Sequence, residues 1–343
     1  MEALRNVLAV YSAHPSAPLS LLARSVTLVP QQFGDLERSL QAVRIVGMRG
    51  SAFLAPADMA GRMFSATRWT DVQVASRLRA LGLDVQTYAA LKPRILEAAR
   101  EPITPRELQR ALGTDGSAVL AMRTMAREGL ILRVGWDDRV RSDSLRWVAT
   151  ESWLGHALDE SDADAARAWL AAAYLRAFGP ARVEDVAWWI GISRGAAHAA
   201  LEGASLEEVE DGLLLPSEMV EAYRSSPASA PNGVDVLPKW DPYTMAYAPD
   251  GRGRLVTDAH LPYAYSTAGN RVGATTGDGL PLILVGGQAA ASWEHRLDGR
   301  RMSVTLHPFA PRLLPDSGVL EKAFRPISEL FGVGIEMVTF SPP

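Results

Sequence analysis

Residues 104–136 read TPRELQRALGTDGSAVLAMRTMAREGLILRVGW, and this stretch decides the fold. The segment Thr104–Glu107 has the pattern of a capping box, with a threonine cap, a proline at the first helical position and a glutamate three residues after the cap. Gly113 is placed to end that helix. Asp115 or Ser117 can cap a further helix, whose apolar residues recur at helical spacing. The stretch therefore predicts two short helices in succession.

The sequence on either side completes a recognisable unit. Upstream, Leu91–Arg100 has apolar residues at helical spacing and predicts one more helix. Downstream, Gly129 ends the last helix, and Leu130–Trp136 and Arg139–Arg141 onward predict the two strands of a hairpin. Three short helices followed by a hairpin is the order of a winged helix, which we assign to 83–150. A helix of this kind usually enters a groove of DNA.

The same order of elements predicts a fold of the α+β class made of tandem winged-helix modules. A third module repeats the pattern over 160–225, and a less regular first module covers 1–82. Ser225–Gly233 has the composition of a linker. Beyond it, 233–343 predicts a β-rich, barrel-like domain with a final helix at about 317–331 and a last strand at 334–340. Its four earlier strands are expected at 254–257, 279–285, 289–295 and 302–306.

Length and composition indicate a soluble, multi-domain intracellular protein. The chain has 343 residues, 48% of them hydrophobic, and this is enough for sizeable cores. No apolar run approaches the roughly 18 residues of a membrane span. Cysteine is absent from the sequence, and no histidine has a partner at metal-ligand spacing. We therefore expect no cofactor, no metal and no membrane association.

The distribution of charge is more informative than the net charge of −4. Residues 1–150 hold 20 Lys+Arg and 14 Asp+Glu, a balance of +6. Residues 151–232 hold 5 and 14, a balance of −9, and the remainder is near neutrality. Phosphate contacts of a nucleic acid are thus expected on the first two modules.

Several motifs, in their order and spacing, resemble the AlkZ-type winged-helix DNA glycosylase family. The resemblance runs from about Leu8 to the C-terminus. The residues that carry it are Gly47–Ser51, Arg176–Pro180, Asp185–Gly191, Leu237–Tyr243, Gly279–Gly287, Ser292-Trp293 and Pro308-Phe309. It implies winged helices around duplex DNA, a C-terminal β-barrel, and excision of alkylated or crosslinked bases. It also implies a location in the bacterial cytoplasm, associated with the nucleoid. Because the modules lie in tandem without a long coiled-coil segment, we expect a monomer.

The chain departs from this family at the catalytic signature, Gln-x-Gln. The matching segment is Tyr11–Pro15, in which Ser12 and His14 replace the two glutamines. Two functions therefore remain open. One is a glycosylase that hydrolyses the N-glycosidic bond of a damaged base. The other is a DNA-binding protein without catalysis, such as a transcription regulator or a lesion-shielding factor.

If the chain is a glycosylase, its catalytic candidates are few. His14 could hold the attacking water as acceptor or general base, although it could equally occupy an ordinary turn before Pro15. Ser12 stands at the other glutamine position. Asp58 could face the sugar, or serve as a helix cap. Asp241 and Asp278 are interpreted as turn residues.

The DNA-binding candidates form two groups. Five arginines on the first two modules are expected to contact phosphates of one duplex: Arg24, Arg49, Arg123, Arg127 and Arg141. The segment 259–271 is long and aromatic, and three of its side chains could wedge at an unpaired base: Tyr263, Tyr265 and Arg271. The alternative for this segment is a loop that caps the barrel.

Overall fold

A computed structural model describes residues 1–13, 15–142, 145–158, 162–227, 233–266, 278–310 and 313–340. The first module has a three-stranded antiparallel sheet in the order β1–β3–β2. Its elements are α1 (Glu2–Asn6), β1 (Val10–Tyr11), α2 (Ser16–Leu22), α3 (Pro30–Arg38), β2 (Ala42–Val46), β3 (Ala52–Pro56), α4 (Ala57–Thr67) and α5 (Asp71–Ala80). The turn Met48–Gly50 joins β2 to β3.

The second module has the predicted three helices and hairpin. Its elements are α6 (Val85–Ala98), α7 (Pro105–Leu112), α8 (Ser117–Met125), β4 (Ile131–Gly135), β5 (Leu145–Ala149) and α9 (Thr150–Leu154). The capping box is present, since Thr104 Oγ accepts from the Glu107 N–H at 3.2 Å and the Glu107 carboxylate accepts from the Thr104 N–H at 2.8 Å. Asp84 caps α6, which therefore begins six residues earlier than expected. The second strand begins only at Leu145.

The third module repeats this order. Its elements are α10 (Ala163–Phe178), α11 (Val183–Ile190), α12 (Arg194–Leu201), β6 (Leu206–Glu210), β7 (Leu213–Pro216) and α13 (Val220–Ser225). Trp189 of α11 is a core residue, buried in contact with Tyr174 and Phe178.

The C-terminal domain is a five-stranded sheet in the order β14–β13–β12–β11–β8, with only β13 and β14 parallel. Its elements are β8 (Val234–Leu237), α14 (Leu261–Ala264), β9 (Tyr265–Ser266), β10 (Asp278–Gly279), β11 (Leu282–Val285), β12 (Gln288–Asp298), β13 (Arg301–Pro308), α15 (Ser317–Phe331) and β14 (Gly334–Phe340). The sheet is curled into half a barrel. Its two edge strands, β14 and β8, are not paired with each other in the described residues, so the expected barrel is only partly formed.

One predicted strand of this domain is wrong. The sequence predicts a strand at 254–257, but the carbonyl of Arg252 accepts from the N–H groups of Leu255 and Val256 at 2.9 and 3.0 Å. These turn bonds continue the short helix Pro249–Arg254 and use the donors that a strand would need. Leu255 and Val256 are both fully buried.

The buried apolar residues form two clusters. The larger joins the first module, the third module and the C-terminal domain. The smaller holds the second module together with Val74 and Leu78 of α5, although α5 falls within the expected first module 1–82. The hairpin β4–β5 lies between them, because Ile131 faces the smaller cluster and Leu132 faces the larger.

Buried hydrogen bonds fasten the third module to the C-terminal domain. The Tyr174 hydroxyl donates to the carbonyl of Ala246 at 3.0 Å. The Asp185 carboxylate, which is fully buried, accepts from the Ala248 N–H at 2.9 Å. Because a lost partner would leave a buried polar group unpaired, these contacts fix the two parts against each other. No helix in the described ranges is long and apolar enough to cross a membrane.

Candidate active site and nucleic-acid interface

The segment that matches the catalytic signature leaves β1 and enters α2. Ser12 is buried, and its backbone is held on both sides: its N–H donates to the carbonyl of Ala52 at 3.0 Å, and its own carbonyl accepts from Arg44. His14 lies outside the described residues. The position of Ser12 is therefore set by β3 and by a buried guanidinium.

The guanidinium of Arg44 is fixed in turn by Glu37. Their side chains are 1% and 4% exposed, and two hydrogen bonds of 2.8 and 2.9 Å join them. The same carboxylate accepts from the Gly135 N–H of β4 at 3.1 Å. A Cβ at Gly135 would lie 2.4 Å from Glu37, so only glycine allows this approach. One buried ion pair thus connects the Ser12 segment to the hairpin of the second module.

Ser12 lines a cavity of about 420 Å³, which we call the central cavity. Cavities that bind small molecules usually have about 300–1,000 Å³. Its walls come from the first two modules and the C-terminal domain. The lining residues are Tyr11, Ser12, Ala13, Arg49, Ser51, Ala52, Arg133, Trp240, Met245 and Asp278.

Arg49, in the turn that joins β2 to β3, forms one wall of the central cavity. Its guanidinium lies 3.7 Å from the ring centre of Trp188 and donates to the hydroxyl of Tyr11. A Cβ on Gly191 would lie 3.0 Å from the Arg49 backbone nitrogen, so the two backbones pack closely. Burial lowers the pKa of Arg49, and burial raises that of Tyr11.

A second arginine lies behind this wall. Arg252 is 1% exposed, and its guanidinium lies 3.9 Å from the ring centre of Tyr265 and 5.1 Å from that of Trp188. Neither Nη atom has a hydrogen-bond partner in the described part of the chain. Arg252 therefore adds buried positive charge near Tyr11, where it acts to lower the tyrosine pKa.

Backbone strain also marks the central cavity. Among described residues other than glycine, four have a positive φ, and two of these line the cavity: Arg49 at 53° and Trp240 at 58°. Such conformations cost about 1–3 kcal/mol each and cluster at functional sites.

Asp278 is the one acidic residue in the described lining of the central cavity, and the sequence analysis missed it. The Trp240 Nε1–H donates to its carboxylate at 3.2 Å, and Lys239 Nζ lies 3.8 Å from the other oxygen. We had interpreted Asp278 as a turn residue because glycines flank it. Only the fold brings it to the Ser12 segment.

Two grooves lined by arginines adjoin the central cavity. The first arginine groove, of about 500 Å³, contains Arg77, Arg123, Arg127 and Arg133. The second arginine groove, of about 590 Å³, contains Arg49, Arg68 and Arg167, together with the caps of α5 and α12, Thr70 and Ser193. No Asp or Glu occurs among the described residues that line either groove. The partial positive charge of the two helix N-termini adds to that of the side chains.

Arg127 joins the two grooves. It donates to the carbonyl of Gly50 at 2.9 Å and lies 4.2 Å from the ring centre of Trp69. Burial, and secondarily the neighbouring Arg77, lowers its pKa. The structure thus places three of the expected phosphate-binding arginines around one turn: Arg49, Arg123 and Arg127.

The other two expected phosphate contacts lie elsewhere. Arg24 makes two hydrogen bonds of 2.6 and 2.7 Å to Asp241, whose side chain is fully buried, so its charge is used inside the protein. Arg141 lies in a separate groove between the second module and α15, together with three carboxylates.

Three of the remaining candidates, Asp58, Tyr263 and Tyr265, lie outside the described lining of the central cavity. Asp58 lies in the first turn of α4, outside the described lining of the central cavity, where a hydrogen bond from Arg5 at 2.7 Å lowers its pKa. Tyr265 is 1% exposed, donates to the carbonyl of Thr244, and has its pKa raised to about 12 by burial, so it is core and not wedge. Tyr263 is half-buried near Phe309. Arg271 lies outside the described residues.

Comparison with known proteins identifies the family. The chain is similar in structure to the DNA glycosylase AlkZ of Streptomyces sahachiroi, with a TM-score of 0.74 and 18% identity over 98% of this chain and 92% of that one. At this identity the likeness concerns the fold. No protein with a curated description matches significantly. The family profile described as "DNA glycosylase AlkZ-like" matches residues 5–327. The chain therefore belongs to the AlkZ-like DNA glycosylase family.

Proposed function

We propose that this protein binds duplex DNA and hydrolyses the N-glycosidic bond of an alkylated or crosslinked base. The observation that carries the proposal is the position of the central cavity beside two acid-free arginine grooves. Enzymes that act on a base within a duplex turn the nucleotide out into a pocket. About 420 Å³ is enough for a base and its sugar.

The arginine grooves would hold the backbone around that nucleotide. Duplex DNA carries one negative charge per about 1.7 Å of axis, and cationic side chains release its condensed counterions. The grooves meet at Gly50, and Arg49 lines both the central cavity and the second arginine groove. A single chain supplies the cavity and both grooves, which supports action as a monomer.

The chemistry proposed for the central cavity suits a base that is already a good leaving group. Alkylation of a purine ring nitrogen makes the base cationic, so breaking the bond to the sugar leaves a neutral product. In that case water must mainly be placed and lose a proton. In our proposal Ser12 and His14, at the positions of the glutamine pair, orient that water.

The second candidate function is DNA binding without catalysis, by a transcription regulator or a lesion-shielding factor. One observation favours it: no glutamine occurs in the described lining of the central cavity, in accordance with the loss of Gln-x-Gln. In this alternative the arginine grooves still bind the DNA backbone, and the central cavity holds a damaged base without excising it.

Single-turnover excision distinguishes the two functions. The protein, in excess, is mixed with duplexes that carry one cationic N-alkylpurine or one crosslink-type adduct, and with the undamaged duplex. We expect base release and an abasic site, above the spontaneous rate, from at least one damaged duplex. Binding to every damaged duplex without any release would establish the non-catalytic function.

A further inference from the structure

The carboxyl group of Asp278 holds a position in the central cavity that the family signature does not explain. Asp278 begins β10 and pairs with Ser266 of β9, so it lies at the base of the connection between these strands. Trp240 and Lys239 contact its two oxygens on one side. The side chain is still 42% exposed, so part of the carboxyl group remains open to the cavity.

Trp240 holds Asp278 and the next residue, Gly279, by two hydrogen bonds. Its backbone N–H donates to the carbonyl of Gly279 at 3.2 Å, and its indole N–H donates to Asp278. The left-handed backbone of Trp240, with φ 58°, makes both contacts possible within one residue. The Asp278 carboxyl group is thus oriented by a residue that also lines the cavity.

The excision reaction needs a negative charge near the sugar and a proton acceptor, and the Asp278 carboxylate supplies both. Cleavage of the N-glycosidic bond builds positive charge on the sugar, and the attacking water must lose a proton. Among the described residues that line the central cavity, the other charged groups are the cations Arg49 and Arg133, which oppose positive charge on the sugar. A carboxylate at Asp278 offsets that charge and is also a proton acceptor.

We propose that Asp278 is the general base of the excision reaction in this chain, an inference that rests on the proposed function. The water oxygen forms a bond to the sugar C1′ while the bond from C1′ to the base nitrogen breaks. The electron pair of that bond stays on the nitrogen, so a cationic base leaves neutral. The proton of the water passes to the Asp278 carboxylate and then to solvent. The Ser12 segment positions the water on the other side.

The test compares Asp278→Asn and Asp278→Glu with one control in single-turnover excision of a cationic N-alkylpurine. Asp298→Asn makes the same chemical change at an exposed strand end of the same domain. Duplex affinity and the thermal unfolding midpoint are measured for every variant.

Asp278→Asn is expected to slow excision by about 100-fold or more, a common general-base contribution, with duplex affinity retained. The rate of wild type should fall toward acidic pH, and that fall should vanish in Asp278→Asn. Asp278→Glu should be at least about tenfold faster than Asp278→Asn, and the Asp298→Asn control should stay within about threefold of wild type.

Two results would overturn the inference while the proposed function survives: Asp278→Asn as fast as wild type, or Glu and Asn variants equally slow. The second would assign Asp278 a purely structural part. If wild type releases no base from any damaged duplex, the proposed function fails and the inference fails with it.

Discussion

At the level of single residues, the buried pair of Glu37 and Arg44 has the largest predicted effect on stability. Glu37→Gln removes the countercharge of a guanidinium that is 1% exposed. Loss of one partner of a buried ion pair costs about 3–5 kcal/mol. We expect a decrease of this size in the free energy of unfolding, measured by urea denaturation. Excision should fall as well, because Arg44 holds the Ser12 carbonyl.

Asp35→Asn is the matched control, since Asp35 lies on the same helix and pairs with Arg38 while 66% exposed. Exposed pairs contribute about 0–1 kcal/mol. If the two variants lose the same stability, the Glu37–Arg44 pair does not anchor the Ser12 segment.

The arginine and aspartate candidates show why residue-level function was hard to predict. Arg24 had the expected charge, but its partner Asp241 is 217 residues away in sequence. Asp278 had no neighbouring motif. In both cases the role of the side chain depends on a contact between segments that are distant in sequence, and the local sequence does not predict that contact.

At the level of elements, Glu128 makes the second module sensitive to pH. It follows α8, accepts from the Tyr88 hydroxyl and lies 3.1 Å from Lys92 Nζ, both on α6. Burial, and then the neighbouring Asp71, raises its pKa from 4.5 to about 7. The folded protein therefore binds this proton more tightly than the unfolded chain. The contribution to stability is complete below about pH 4.5 and is lost as pH rises through about 7.

Glu128→Gln should remove this titration, so the fall in unfolding free energy between pH 5 and pH 8 should be smaller than in wild type. Urea denaturation at both pH values measures it. Glu97→Gln, on the exposed face of α6, is the control and should keep the wild-type difference. An unchanged difference in Glu128→Gln would mean that another group titrates.

Elements whose ends are marked by capping residues were predictable from the sequence, and the strand without such markers was not. Thr104 and Gly113 set the ends of α7 as expected, because caps act within a few residues. The last helix and strand, Ser317–Phe331 and Gly334–Phe340, also match their predicted bounds. The predicted strand at 254–257 is wrong because a preceding turn uses its N–H donors, which the four residues themselves do not reveal.

At the level of the whole molecule, the two positions Arg123 and Arg141 test where the duplex lies. Arg123 is exposed in the acid-free first arginine groove, whereas Arg141 shares its groove with carboxylates. Arg123→Ala should weaken binding to unrelated duplex sequences about equally and reduce the salt slope of affinity by about 1. Folding should be little affected, since the side chain is exposed.

Arg141→Ala is the control and should leave both affinity and salt slope near those of wild type. Fluorescence anisotropy over a range of salt concentrations measures both quantities. A larger loss in Arg141→Ala than in Arg123→Ala would place the duplex on the other groove.

The molecule as a whole was predictable as a mixed α+β chain of this family, while its central cavity was not. The cavity takes Tyr11 and Arg49 from the first module, Arg133 from the second, and Trp240 and Asp278 from the C-terminal domain. Periodicity and caps describe each module alone. They do not predict which faces of the first module, the second module and the C-terminal domain meet.

The pairing of Arg24 with Asp241 has a consequence for how the protein is made. Ribosomes add about 5–20 residues per second, so the guanidinium waits about 10–40 s for its carboxylate during synthesis. Trp240 and Asp278, which complete the cavity, arrive later still. A nascent or prematurely terminated chain thus exposes the basic N-terminal modules before the central cavity exists. Under the proposed function, such a chain would bind DNA without excising a base.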